Sequence, residues 1–167
     1  AFAMNYPDKL NGIVLFHSQA AADTEEGKKN RDRTIEVIES DHHAFIHSFV
    51  PSLFAEQNVK KYEAEIEKLR KLSMSTSRNG IVAALAGMRD RPDYADMLSK
   101  LEIPVFFIIG KQDSRVNMEM MFEQMKAPQN CEAMILDHVG HMGFIEASDI
   151  TYLAIEHFVE RNNQISL

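Results

Sequence analysis

A continuous apolar run, Ile103-Pro-Val-Phe-Phe-Ile-Ile109, leads straight into Gly110 and then, across a short polar loop, to Asp113. A strand-length run without polar alternation suits a strand covered on both faces, the environment of a parallel sheet. Parallel neighbours must be joined by long crossovers, usually helical, so this run commits the chain to an α/β arrangement. Two further segments fit the same sheet: Ile13 to Phe16, a short apolar run after a polar turn, and Cys131 to Leu136. Strand, crossover, strand, crossover, strand gives about three parallel strands with right-handed connections, flanked by helices.

Between the first two strands the patterning becomes helical. Asp23-Thr-Glu-Glu26 reads as an acidic helix start, with Gly27 against it, and Lys28 to Glu39 is charged with a thin stripe of Ile35 and Ile38. Ala44 to Phe54 is far more apolar at helical spacing, and Pro51 starts a new short helix. Asn58 to Leu72 places Val59, Tyr62, Ile66 and Leu69 on one face, with Asn58 as the expected cap, and Ser77 to Met88 forms a fourth helix. Pro92 ends the block. Tyr94 to Leu101, the methionine-rich Asn117 to Met125 and Asp149 to Val159 supply the remaining helices, and Arg161 to Leu167 reads as a fraying tail.

Composition removes several function classes. A net charge of −7 and a pI near 5.5 leave no basic stripe to neutralise phosphates, which argues against nucleic acid and against an anionic membrane surface. No apolar run reaches the roughly 18 residues of a membrane span. The lone Cys131 excludes an intrachain disulfide framework, so a reducing, cytoplasmic setting is the default. Glycine-rich nucleotide motifs are absent, and no cofactor is expected.

The candidate chemistry sits after the second and third strands. Asp113 follows one, and Asp137-His-Val-Gly-His141 follows the other, 28 residues separating the acid from His141. That distance spans one loop-helix-strand unit, so the two loops can lie side by side at the carboxyl ends of the strands, where open α/β sheets gather ligands. A carboxylate that orients an imidazole, which takes a proton from a nucleophile, makes up two thirds of a triad. His141, set between glycines, has little reason to be a core residue, and an imidazole suits proton transfer near neutral pH. Asp137 is a rival acid but stands too close in sequence to act from a separate loop. His138 reads as structural or solvated. His17 and Ser18, at the end of the first strand, and Met142, beside His141, are assigned to the substrate-pocket lining. Ser18 is a poor nucleophile candidate, because no glycine flanks it and a strained nucleophile turn needs small neighbours. Ser114 reads as shaping the acid loop and Cys131 as a bystander. His43 and His47 share helical spacing, yet neither a cysteine nor a His-Glu-x-x-His arrangement accompanies them, so no metal site is assigned and, with His42, they read as surface. The methionines of the 118–125 helix read as adaptable core.

Gly110-x-x-Asp113 after an apolar strand, followed by Val139-Gly-His141-Met-Gly-Phe-Ile-Glu146, resembles the acid and histidine loops of the α/β-hydrolase superfamily. The stretch from Ala1 to His17 resembles the end of the helix after the nucleophile elbow and then the sixth strand. Met88-Arg-Asp-Arg-Pro92-Asp93 resembles the return from cap to core. The resemblance implies a partial α/β-hydrolase fold, with residues 1–20 and 92–167 as core and 21–91 as an all-helical cap. It implies Asp113 as acid, His141 as base and Glu146 as a structural hydrogen-bond partner. The implied reaction is hydrolysis of an ester-like or other acyl bond in a small, partly apolar substrate, through a covalent serine intermediate. No Gly-x-Ser-x-Gly occurs in these residues. The family's layout puts that elbow just before Ala1, so the resemblance is to a carboxyl-terminal portion. The expected partner is the amino-terminal half, or a second copy, across the open edge of the first strand. A non-catalytic binding or assembly protein, or a lyase or haloperoxidase of the same fold, is the alternative.

Overall fold

The computed structural model describes residues 1–164. A short helix, α1 (Phe2–Asn5), precedes a parallel sheet in the order β1 (Ile13–Phe16), β2 (Val105–Gly110), β3 (Cys131–Leu136). Ile13 pairs with Val105, and Val105 with Cys131, so all three strands finish at one edge of the sheet. Every residue of β2 is buried, whereas β1 and β3 are partly exposed edges. Only the central strand therefore carries an uninterrupted apolar signal. It begins at Val105, two residues later than the apolar run, because Pro104 has no N–H for the ladder.

The side chains of β2 divide between two cores. Val105, Phe107 and Ile109 pack with Leu98, Leu101, Val116 and Met121 under α5 (Ala95–Leu98) and α6 (Met118–Met125). Phe106 and Ile108 pack with Leu136, Val139 and Phe158 under α8 (Ser148–Gln164). Each such burial stabilises by about 1.5–3 kcal/mol. Helix α8 continues beyond the expected end at Val159, because Arg161 pairs with Glu132 and the Asn162 amide donates to the Phe158 carbonyl. The rest of the tail expected to fray, residues 165–167, lies outside the described residues. Among the described residues no helix is long and apolar enough to cross a membrane.

Residues 21–91 form a purely helical insertion between β1 and β2: α2 (Glu25–Phe49), α3 (Glu63–Met74) and α4 (Arg78–Arg89), with 3-10 turns at Pro51–Leu53 and Glu56–Asn58. The Thr24 hydroxyl caps α2 by accepting from the Gly27 N–H, so Gly27 lies within the first turn without breaking it. At Asp41 the backbone leaves the helical region (φ −153°, ψ 91°), and the Asp41 carboxylate accepts from the Ala44 N–H at 2.9 Å, restarting the helix. This kink falls where the sequence changes from charged to apolar. Ser77 and Asn117 cap α4 and α6.

Asn58 is a correction. Helix α3 starts at Glu63, and Asn58 does not cap it. Its amide instead donates to the His138 carbonyl at 2.7 Å and to Glu146 Oε2 at 2.8 Å. An N-cap is worth about 1 kcal/mol, and a charge-assisted bond to a buried carboxylate outweighs it.

Candidate active site

The acid loop is built by close backbone approach. Gln112 N–H donates to the Val139 carbonyl at 2.9 Å, and a Cβ on Gly110 would lie 2.4 Å from the carbonyl oxygens of Val139 and Gly140. Only glycine lets the histidine loop close over the end of β2. The side chain of Asp113 has no exposed surface. Its Oδ1 accepts from the Arg115 and Val116 N–H groups at 2.7 and 3.0 Å, and from His141 Nδ1 at 3.1 Å. Its Oδ2 accepts from His141 Nδ1 at 2.9 Å and from His17 Nδ1 at 3.1 Å. Burial alone would raise the Asp113 pKa. The bonds from His141, His17 and the Arg115 N–H outweigh burial and hold the carboxyl well below the usual carboxylate range.

His141 is fixed at both ends. Its backbone N–H donates to the Leu53 carbonyl at 2.7 Å and its Nδ1 is engaged by Asp113. The ring keeps 29% of its surface exposed, and Nε2 makes no hydrogen bond among the described residues. The next residues form a one-turn helix, α7 (Gly143–Glu146), which the sequence pattern does not announce. Its last residue, Glu146, turns a buried carboxylate back on the loop. Oε1 accepts from the Gly140 and Met142 N–H groups at 2.9 and 3.3 Å, and Oε2 from the Ala55 N–H and the Asn58 amide at 2.9 and 2.8 Å. The insertion also grips the acid loop: the Ser114 hydroxyl donates to the Ser52 carbonyl, and the Arg115 guanidinium lies over the Phe49 ring. Asn58→Ala is expected to lower stability by about 1–2 kcal/mol, since one donor to a buried carboxylate is lost. Urea unfolding checks this, and an unchanged midpoint would contradict the bridge.

Of the residues assigned to a pocket wall, His17 and Met142 are buried and Ser18 is half-buried. His17 is buried and turned inward onto Asp113, with its backbone in the left-handed region (φ 43°). Met142 is buried in the core of the insertion with Ile46, Val50, Phe54 and Ile66, because the histidine loop packs under that element. Ser18 is half-buried at the end of β1. None of the three lines the cavity of about 660 Å³ beside β1, whose walls include Phe2, Leu10, Ile13, Leu15, Tyr94 and Met97. That cavity also excludes Asp113 and His141, so it marks the open flank of β1 and not this site. Asp137 is exposed and paired with Lys111 at 2.6 Å. His138 faces the Gln57 amide. Partial burial, with the Glu132 carboxylate, raises the Cys131 thiol pKa, away from an activated thiolate.

The donor atoms of His17, Asp113 and His141 lie within 4.8 Å of one another, near enough to raise a metal centre. Both imidazoles, however, stand at hydrogen-bond lengths from the carboxylate through Nδ1. A carboxylate held below its usual range only accepts, so both Nδ1 atoms carry protons. The donor set fits an oriented proton acceptor better than a cation site. Strand-end position alone could have flagged His17 as a neighbour of Asp113. The bond itself depends on a left-handed backbone that no motif signals.

No family model matches the sequence, and no curated protein does. Solved structures do. A thermophilic esterase from Thermogutta terrifontis is 28% identical, with a TM-score of 0.86 over 96% of this chain and 60% of its own. The enol-lactonase from Burkholderia xenovorans is 17% identical, with a TM-score of 0.84 over 96% of this chain and 60% of its own. A bromoperoxidase from Bacillus anthracis is 18% identical, with a TM-score of 0.73 over 89% of this chain and 58% of its own. The chain has a partial α/β-hydrolase fold. It spans about 60% of the length of the esterase and the lactonase.

Proposed function

We propose that this chain supplies the acid and base of a serine-type acyl hydrolase: Asp113 orients His141, and His141 takes the proton of a hydroxyl carried on a segment outside this sequence. The observation that carries this reading is the 2.9 Å bond from His141 Nδ1 to Asp113 Oδ2, beside a part-exposed ring whose Nε2 has no partner among the described residues. Likeness to an esterase that is 28% identical supports an ester substrate. In the reaction the hydroxyl oxygen attacks the acyl carbon while His141 Nε2 accepts its proton. Collapse of the tetrahedral intermediate breaks the bond to the alcohol, whose oxygen receives the proton from His141 Nε2, and water repeats the sequence on the acyl-enzyme to release the acid and restore the hydroxyl. Asp113 stays ionised throughout and stabilises the imidazolium.

In this reading the insertion is a cap. Ser52, Leu53, Ala55 and Asn58 all bond to the acid or histidine loop, which supports a roof over a small, partly apolar acyl group. The half-exposed β1 and its apolar flank, with Phe2 58% exposed, support completion of the sheet by the segment that carries the nucleophile.

The purified chain alone is expected to turn over no short-chain activated ester. Absence of an activated nucleophile costs several orders of magnitude, and absence of an oxyanion donor roughly 10²–10³. Turnover is expected to return when the segment encoded upstream of Ala1 is supplied in trans. Turnover by the chain alone, lost on His141→Ala, would overturn the assignment of the nucleophile.

A further inference from the structure

We infer that His17 is a positioning residue for the Asp113–His141 pair: its Nδ1–H fixes Asp113 Oδ2 and restrains how strongly the carboxylate favours a protonated His141. The inference rests on the reading of these two residues as acid and base. Three independent features of the fold converge on it.

The first is the bond itself. His17 Nδ1 lies 3.1 Å from Asp113 Oδ2, between side chains that are 2% and 0% exposed. Oδ2 is thereby shared between two imidazoles, while the two backbone N–H groups anchor Oδ1. The charge that Asp113 presents to His141 is drawn partly toward His17.

The second is backbone strain. His17 is one of only two non-glycine residues with positive φ among the described residues, at 43°. That region is uncommon for any residue but glycine, although His enters it more readily than most, and backbone held there gathers at functional sites. Here it turns the last residue of the β1 ladder, whose N–H still donates to the Ile108 carbonyl at 2.9 Å, so that the ring meets the acid loop.

The third is the space made for the ring. A Cβ on Gly143 would lie 2.1 Å from His17 Nε2. Gly143 therefore serves His17 and not a turn, since no glycine among the described residues has positive φ. Buried Nε2 has no hydrogen-bond partner, a loss tolerated for the sake of the Nδ1 bond. The titratable groups facing His17 are Asp113 and His141, the latter with ring centroids 5.9 Å apart.

The test is NMR of the His141 ring across a pH series in the chain and its variants. His17→Phe keeps a ring and removes the donor. His17→Asn keeps an amide donor and tolerates the left-handed backbone. In H17F the titration of His141 is expected to move to higher pH, because a carboxylate relieved of one donor holds a protonated partner more strongly. In H17N it is expected to return toward the unsubstituted chain. If H17F does not fold by circular dichroism, H17A is read by the same criterion. An unchanged titration in the donor-free variant, or an equal shift in H17N, would overturn the inference and leave His17 a packing residue. Absence of any Asp113-bonded His141 proton in the unsubstituted chain would instead overturn the acid–base reading, and this inference with it.

Discussion

His141→Ala in the completed enzyme is expected to lower kcat/KM for a short-chain ester by about 10⁴–10⁶-fold, with little change in folding. The ring is part-exposed and its only polar partner among the described residues is Asp113, so its loss removes the proton acceptor without opening a core. Asp113→Asn is expected to cost about 10⁴-fold by a different route. An Asn amide donates where the carboxylate accepted, which inverts the imidazole tautomer and points Nε2–H at the hydroxyl it should deprotonate. The two variants also differ in acid. Because the folded Asp113 pKa is depressed, its contribution to stability is present above the ordinary carboxylate value of about 3.9 and is lost as pH falls below it. D113N should therefore show a flatter decline of the urea midpoint between about pH 4 and 2, and H141A should retain more of the slope. Equal slopes in D113N and the unsubstituted chain would contradict the placement of an ionised, fully buried carboxylate.

Glu146→Ala is expected to destabilise the chain by about 3–5 kcal/mol, the largest stability loss of any polar substitution considered. Its carboxylate holds the Gly140, Met142 and Ala55 N–H groups and the Asn58 amide, joining the histidine loop to the insertion. Each buried donor left without a partner costs about 1–3 kcal/mol. Water entering the vacated site recovers part of that, so the sum stays below the four separate losses. Glu146→Gln preserves volume but sets an NH₂ group against donors, and is expected to lose at least about 2 kcal/mol. Urea unfolding decides it: a loss under about 1 kcal/mol for both variants would show that insertion and loop are held together by packing alone.

The sheet was legible because burial is one-sided in its demands. β2 had to be apolar throughout, so its run stood out, and Gly110 and Asp113 followed from its end. The helical insertion was legible from periodicity, as was the change from the charged 28–39 segment to the apolar 44–54 segment, and the kink at Asp41 falls between the two. What was not legible was the placement of side chains whose partners are distant in sequence. Asn58 has the composition of a cap, and only the placement of Glu146, 88 residues away, draws it off. Met142 sits beside His141 in sequence, yet the helical turn at Gly143–Glu146 sends it into the core of the insertion. His17 was legible as a strand-end residue but not as a partner of Asp113, since the bond depends on one backbone torsion and on the missing Cβ of Gly143. Local pattern reports which face a residue occupies, and these bonds are decided by which faces later meet.

The central claim is that the base of the reaction lies in this chain and the nucleophile outside it. Mass spectrometry after treatment with an organophosphonate that phosphonylates activated serines tests this most directly. The chain alone should take no label. The protein completed by its upstream segment should take one, on a serine of that segment, with labelling slowed at least about 10³-fold by His141→Ala. A label on Ser18 or any other serine of this chain, acquired without the added segment, would contradict the account.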